Sequence, residues 1–426
     1  VSKLRIAVAT PWNARSAIAQ HSSEVVFELA ARGHETTILR SEVGEPLDWA
    51  PRPAPGAIRS LADLSDETIR NEFDIVVAQF GDNMPFHGAI PARLDAIEAL
   101  GIFHDVFIGH LARACAGSEP GVRALLRDSY GVDPTPPGED YLKDLAFAAR
   151  YPLLEWLARK CVAAVAHSGH YVDRLRAACP GRVETIPLAM RFPSLPPPPA
   201  PWEILTIAVI GHANPNKRID RLILGVGASA KLRARCRIRI IGETTPDMRL
   251  ALERIAAVAG VAPLQFTGWI PDDDLARSLR DVDAICCLRN PVLEGASASL
   301  LLAMSSGRPT LVTNHGCYAE APEDAVLRCA PDHEARDVAR HLGRLLDDPT
   351  RGAETGKRAR AHVCGRLGPV AYVDALLPLV EQAIADRPRF AARRSLVDTL
   401  ASFGLGRADA ACARIDASLD SLAGSR

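Results

Sequence analysis

The chain has 426 residues, 48% hydrophobic and 24% charged, with a formal net charge of −1. That is enough for two domains with proper cores, and the composition is that of a soluble globular protein. A charge this close to zero gives no bulk electrostatic case for nucleic acid or acidic polymers as partners, and no apolar run approaches the roughly 18 residues of a membrane span.

The start, Val1-Ser-Lys-Leu-Arg, reads straight into a strand, so no signal peptide is expected. Ten cysteines are scattered with no Cys-x-x-Cys pair, so we expect reduced, buried thiols in a cytoplasmic protein, without zinc or a disulfide framework. Leu4–Ala9 reads as a strand, and the turn to Ala17 leads into a helix with Ile18, Val25, Val26 and Leu29 on one face. Glu35–Leu39 is the next strand, which makes a βαβ unit and predicts a parallel sheet. Residues 43–70, with Pro46, Pro51, Pro53 and Pro55, read as loop with a short helix. Phe73–Gln79 is a strand, then come Gly81-Asp82-Asn83 and His87, and a helix leads to Ala99–Phe103 with His104-Asp105 behind it.

The three imidazoles of His87, His104 and His110 raise the question of a metal, but carboxylate partners are sparse and no metal site is assigned. A structural role for His87 and His110 stands level with a functional one. Leu153–Lys160 is an amphipathic helix before the strand Val162–Ala166, and Ser168 reads as the cap of the helix Tyr171–Ala178. The prolines between Phe192 and Pro201 give a stiff segment without backbone donors and mark a domain boundary. The alternation restarts at Leu205–Gly211, followed by His212-Ala-Asn-Pro-Asn-Lys217-Arg218, a helix, and strands at Ile238–Gly242 and Leu264–Thr267.

The most informative stretch is Asn290-Pro-Val-Leu-Glu-Gly-Ala-Ser-Ala-Ser-Leu-Leu-Leu-Ala-Met-Ser-Ser-Gly-Arg-Pro309. It lies between the buried strands Asp283–Leu288 and Thr310–Thr313, and its centre reads as a helix with Ser297 or Ser299 as N-cap and Gly307 as stop. Glu294 and the small residues Gly295 to Ser299 therefore sit at a helix mouth beyond the carboxyl end of a strand, where open α/β sheets bind ligands. Small residues let the backbone approach, and free N–H groups at a helix start favour anions.

This stretch resembles the donor-site signature of the group 1 glycosyltransferases (glycosyltransferase family 4, GT-B fold). Glu294, Gly295, Ala303, Met304, Gly307 and Pro309 match it, and Leu302 stands where the signature has a second Glu. The resemblance covers most of residues 4–385. It implies an α/β chain of two Rossmann-like domains facing each other across a cleft, with a C-terminal helix crossing back. The expected division is an acceptor domain at 1–192 plus a returning helix at about 366–386, a linker at 193–201, a nucleotide-sugar domain at 202–365 and a helical appendage at 387–426.

By the same resemblance, Ser16-Ala17 take the place of the first-loop glycines, His104-Asp105 face the cleft, and Lys217 holds the donor diphosphate, helped by His212 or Arg218. Gly211, Gly242, Gly295, Ala296, Ser297, Ala298 and Leu302 complete the donor side, and Glu294 binds the sugar. The implied reaction is metal-independent transfer of a sugar from a nucleotide diphosphate, with retention, to a glycan or lipid-linked acceptor, with no cofactor. In the family the second Glu holds the ribose; Leu302 cannot, and Glu320 is the nearest substitute in sequence.

A catalytically silent GT-B scaffolding subunit remains the alternative. A dinucleotide oxidoreductase is disfavoured because no Gly-x-Gly-x-x-Gly follows either first strand. In the tail, Arg389, Arg393 and Arg394 alternate with Phe390, Leu396, Leu400 and Phe403. That pattern suits packing on the chain itself or on a second subunit, or contact with the inner face of a membrane.

Overall fold

The computed structural model describes residues 3–131, 141–192 and 203–403. The linker at 193–201 and the tail from 404 onward lie outside the described residues. Seven strands form the first sheet: β1 (Arg5–Thr10), β2 (Glu35–Arg40), β3 (Ala57–Ser60), β4 (Ile75–Phe80), β5 (Ala99–Phe103), β6 (Ala163–Ala166) and β7 (Val183–Thr185). Six form the second: β8 (Leu205–Ile210), β9 (Cys236–Ile241), β10 (Gln265–Phe266), β11 (Ala284–Cys287), β12 (Thr310–Thr313) and β13 (Leu327–Cys329).

The orders are β3-β2-β1-β4-β5-β6-β7 and β10-β9-β8-β11-β12-β13, with every pairing parallel. Parallel pairing needs crossover connections, and helices then cover both faces. This is why β1, β4, β8 and β11 are almost wholly apolar and buried. In each sheet the order reverses beside the first strand, and that is where ligands bind in doubly wound folds.

Two local expectations fail. β3 lies within the proline-rich stretch read as loop; it is a short edge strand, half-buried, so it lacks the apolar run that reveals the central strands. The segment before β5 is a single helical turn, Met84–His87, followed by turns, although Ile90, Leu94 and Ile97 are buried as a helix would have placed them.

The last helix, Pro369–Ser402, runs through the expected break at 386 without stopping. Tyr372, Val373, Leu376, Leu379 and Val380 pack it against Val25, Val26 and Leu29 of the helix Ala17–Ala31, in one apolar cluster of the first domain. Beyond residue 386 the tail stays on the chain: Phe390 is buried, Arg387 donates to the carbonyl of Asp74 at 2.5 Å, and Arg394 pairs with the buried Glu98. Among the described residues no single helix is long and apolar enough to cross a membrane.

Candidate active site

The carboxyl ends of the two sheets meet across a cleft that encloses a cavity of about 500 Å³. The first domain lines it from three strand ends: Arg15, Ser16 and Ala17 after β1, Gly81 to Asn83 after β4, and His104 and Asp105 after β5. The second domain supplies His212 after β8, and Ala296 and Ala298 at the start of the helix Ala298–Ser305. That helix is capped by Ser297, whose hydroxyl accepts from Leu300 N at 3.1 Å, and Ser16 caps the helix Ala17–Ala31 in the same way.

Direct contact closes the floor of the cleft. The N–H of Gly295 donates to the carbonyl of His104 at 2.7 Å, and the N–H groups of Val106 and Phe107 both donate to the carbonyl of Leu293. Ser168 Oγ donates to Gly295 O at 2.6 Å. The expected capping role of Ser168 is therefore wrong: the helix Val172–Ala178 starts at Tyr171 with no side-chain cap, and the hydroxyl reaches the other domain instead. Glu320 is also committed. Its carboxylate accepts from the N–H groups of Gly169 and His170, so it joins the domains and does not stand free for a ribose.

Asp105 Oδ2 accepts from Asp82 N at 2.8 Å, and burial lifts its carboxyl pKa to about 7. His104 donates from Nε2 to Gln79 Oε1 at 2.7 Å, and burial, with His167, His21 and His87 nearby, holds its pKa well below the ordinary imidazole value. His87 is buried on the carbonyl of Gln79, and the exposed His110 bonds Asp82 at 2.5 Å, so both have structural partners. Gly81 makes room here: a Cβ on it would come within 2.7 Å of His87 Nε2.

The second domain's charged groups are more deeply set than the sequence suggested. Lys217 is buried; its Nζ donates to Ile210 O at 2.5 Å, and burial, then the charge of Arg289, lowers its pKa to about 7. It lies beneath Gly211, where a Cβ would meet Nζ at 2.8 Å; Gly211 has φ +88°, and Gly242 packs against its backbone. Arg218 turns away from the cleft to Glu334, at 2.8 Å.

Glu294 is held from two sides, with Arg289 Nε at 2.8 Å and the Tyr318 hydroxyl at 2.5 Å both on Oε1. Its Oε2 accepts only from Leu293 N among its side-chain hydrogen bonds, at 3.2 Å. Leu302 is packed among Ile210, Ile241, Leu300 and Met304 and does not line the cavity.

Sequence reasoning missed Arg289, Tyr318, Gln79, Arg15 and His21. Arg289 lies two residues past Cys287, the end of β11, a charge at the carboxyl end of a buried strand, and that was a usable signal. His21 sits at helical spacing between Ile18 and Val25, a polar residue on an apolar face. Tyr318 and Gln79 had none, since only the fold brings them in.

Residues 199–362 match the family model described as Glycosyl transferases group 1. No curated protein is detectably similar in sequence. Among solved structures, sucrose-phosphate synthase from Thermosynechococcus elongatus aligns over 90% of this chain and 100% of its own at 14% identity, with a TM-score of 0.63. A glycosyltransferase from Rickettsia africae aligns over 90% and 99% at 13% identity and a TM-score of 0.60. HepE from Anabaena, in complex with UDP and glucose, aligns over 89% and 100% at 12% identity and a TM-score of 0.59. The chain has the GT-B fold, and its residues 199–362 match the group 1 glycosyltransferases.

Proposed function

We propose that the chain transfers a sugar, with retention of anomeric configuration, from a nucleotide diphosphate to a glycan or lipid-linked acceptor. The observation that carries this reading is the juxtaposition of Glu294-Gly295 with His104-Asp105 across the cleft, at the switch points of both sheets. In this reading the second domain takes the nucleotide sugar and the first takes the acceptor. The donor diphosphate lies at Ala296–Ala298, where the helix start and the positive field of Lys217 and Arg289 offset its charge without a metal on the phosphates.

Glu294 keeps Oε2 for a sugar hydroxyl while Arg289 and Tyr318 fix its orientation. His104 and Asp105 flank the sugar, and the leaving phosphate takes the acceptor's proton. With Leu302 in the core, the ribose is held without the second carboxylate, which weakens nucleotide binding roughly ten- to a hundredfold.

The test is thermal unfolding with UDP, GDP, ADP, TDP and CMP, followed by transfer assays with the sugar of whichever nucleotide binds. UDP-glucose is the first donor to try, because HepE has been seen with it. A ligand at a hundred times its dissociation constant stabilises by about 2.7 kcal/mol. Lys217→Met and Glu294→Gln should each lower transfer by about 10²–10³. No nucleotide binding and no transfer would instead favour the silent scaffold, a reading that Leu302 supports.

A further inference from the structure

Behind the cleft floor lie three buried imidazoles: His21, His104 and His167. Their ring centroids are 4.7 to 5.4 Å apart, and their ligand nitrogens all lie within 4.8 Å of one another. The hydrogen bonds on their outer sides fix which nitrogen carries the proton. His21 Nδ1 faces Ala189 O at 3.1 Å and His167 Nδ1 faces Ile186 O at 2.9 Å. A carbonyl can only accept, so both Nδ1 atoms are protonated and both Nε2 atoms are bare lone pairs. Those Nε2 atoms are fully buried and have no hydrogen-bond partner among the described residues. His104 gives its Nε2 proton to Gln79 Oε1, which leaves its Nδ1 bare.

A buried acceptor left without a partner is unfavourable, and a cluster of such acceptors suits a cation. An outer carbonyl or amide on the second nitrogen is also how proteins orient metal-binding histidines.

We propose that His21, His104 and His167 bind one divalent transition-metal ion of the zinc type, through His21 Nε2, His167 Nε2 and His104 Nδ1. Metal–nitrogen bonds of about 2.0–2.1 Å bring such nitrogens to roughly 3.3 Å from each other, an inward movement of about an ångström or so. Three neutral imidazoles leave the ion a further open position, as at catalytic zinc sites. His21 and His104 line the cavity, which gives the ion its entry path. The site stands on the first domain and is independent of how the donor diphosphate is neutralised.

The test uses the full chain, freed of metal with a chelator and titrated with Co²⁺. One equivalent per chain is expected, with visible d–d absorption that Zn²⁺ displaces, and His21→Gln and His167→Gln should each weaken binding at least about tenfold. Far-UV dichroism checks that these variants fold. On the wild-type protein, ¹⁵N NMR should show Zn²⁺ shifting three imidazole nitrogens. Absorption that is the same in wild type and both variants, or imidazole signals that Zn²⁺ leaves unmoved, overturns the proposal. That second result is what an ordinary water bridging the lone pairs and the Tyr372 hydroxyl would give. Neither readout uses a donor or acceptor, so a failure here is distinct from a failure of the transfer reading.

Discussion

Gly295 donates its backbone N–H to the carbonyl of His104 at 2.7 Å, a bond between the domains that only a glycine at this position allows. A Cβ on Gly295 would stand 2.5 Å from the Tyr171 hydroxyl. Tyr171 cannot step aside, because it is buried and its hydroxyl donates to Phe103 O while accepting from His167 N. Gly295→Ala is therefore expected to cost about 1–3 kcal/mol and to part the domains. Thermal unfolding and small-angle scattering read both effects; an unchanged melting point with an unchanged radius would contradict the contact.

Lys217 gives a pH signature. Its pKa falls from 10.5 unfolded to about 7 folded, so between those values the unfolded chain holds more proton and wild-type stability rises with pH. Lys217→Met removes that slope. The variant's stability relative to wild type should fall as pH goes from 7 to 10, by at most about 1.4 kcal/mol per unit. Urea unfolding at three pH values measures it, and parallel stability curves would refute the lowered pKa.

Asp105 acts in the opposite direction. Its folded pKa of about 7 against 3.8 unfolded means that the native state holds the extra proton between these values, and wild-type stability falls as pH rises through them. Asp105→Asn cannot titrate, so it should gain about 1–3 kcal/mol on wild type between pH 4 and pH 8. Denaturant midpoints of the two proteins at each end of that range decide the matter.

The tail should behave as part of the first domain. Phe390 is buried against Gly181, and Phe390→Ala should cost about 3–5 kcal/mol. A melting point within a degree of wild type would mean that the helix beyond residue 386 is not seated on this chain.

What could be read from the sequence followed burial. The central strands are apolar runs, so they and the alternation that makes a GT-B chain were legible; the edge strand β3 was not, because none of its residues is fully buried. The Glu294-Gly295 stretch was visible because a chemical type and a small residue had to be adjacent. Commitments of side chains across the fold were invisible. Arg218 to Glu334, Ser168 to Gly295 and Glu320 to Gly169 join residues more than a hundred positions apart, and each overrode a local reading of phosphate binding, capping or ribose binding. Leu302 was identified as a departure from the start, yet only the packing shows that it belongs to the core.

The hydrogen bonds that close the cleft floor also set a clock. Glu320 on Gly169 and His170, Ser168 on Gly295, and Gly295 on His104 link the domains beside the cavity, and separation has to break them together. On the proposed reading a spent nucleotide held there leaves only as fast as that set opens, which predicts that product release limits steady turnover. The kinetic mark of such an enzyme is a burst: a first round of product faster than all the rounds that follow.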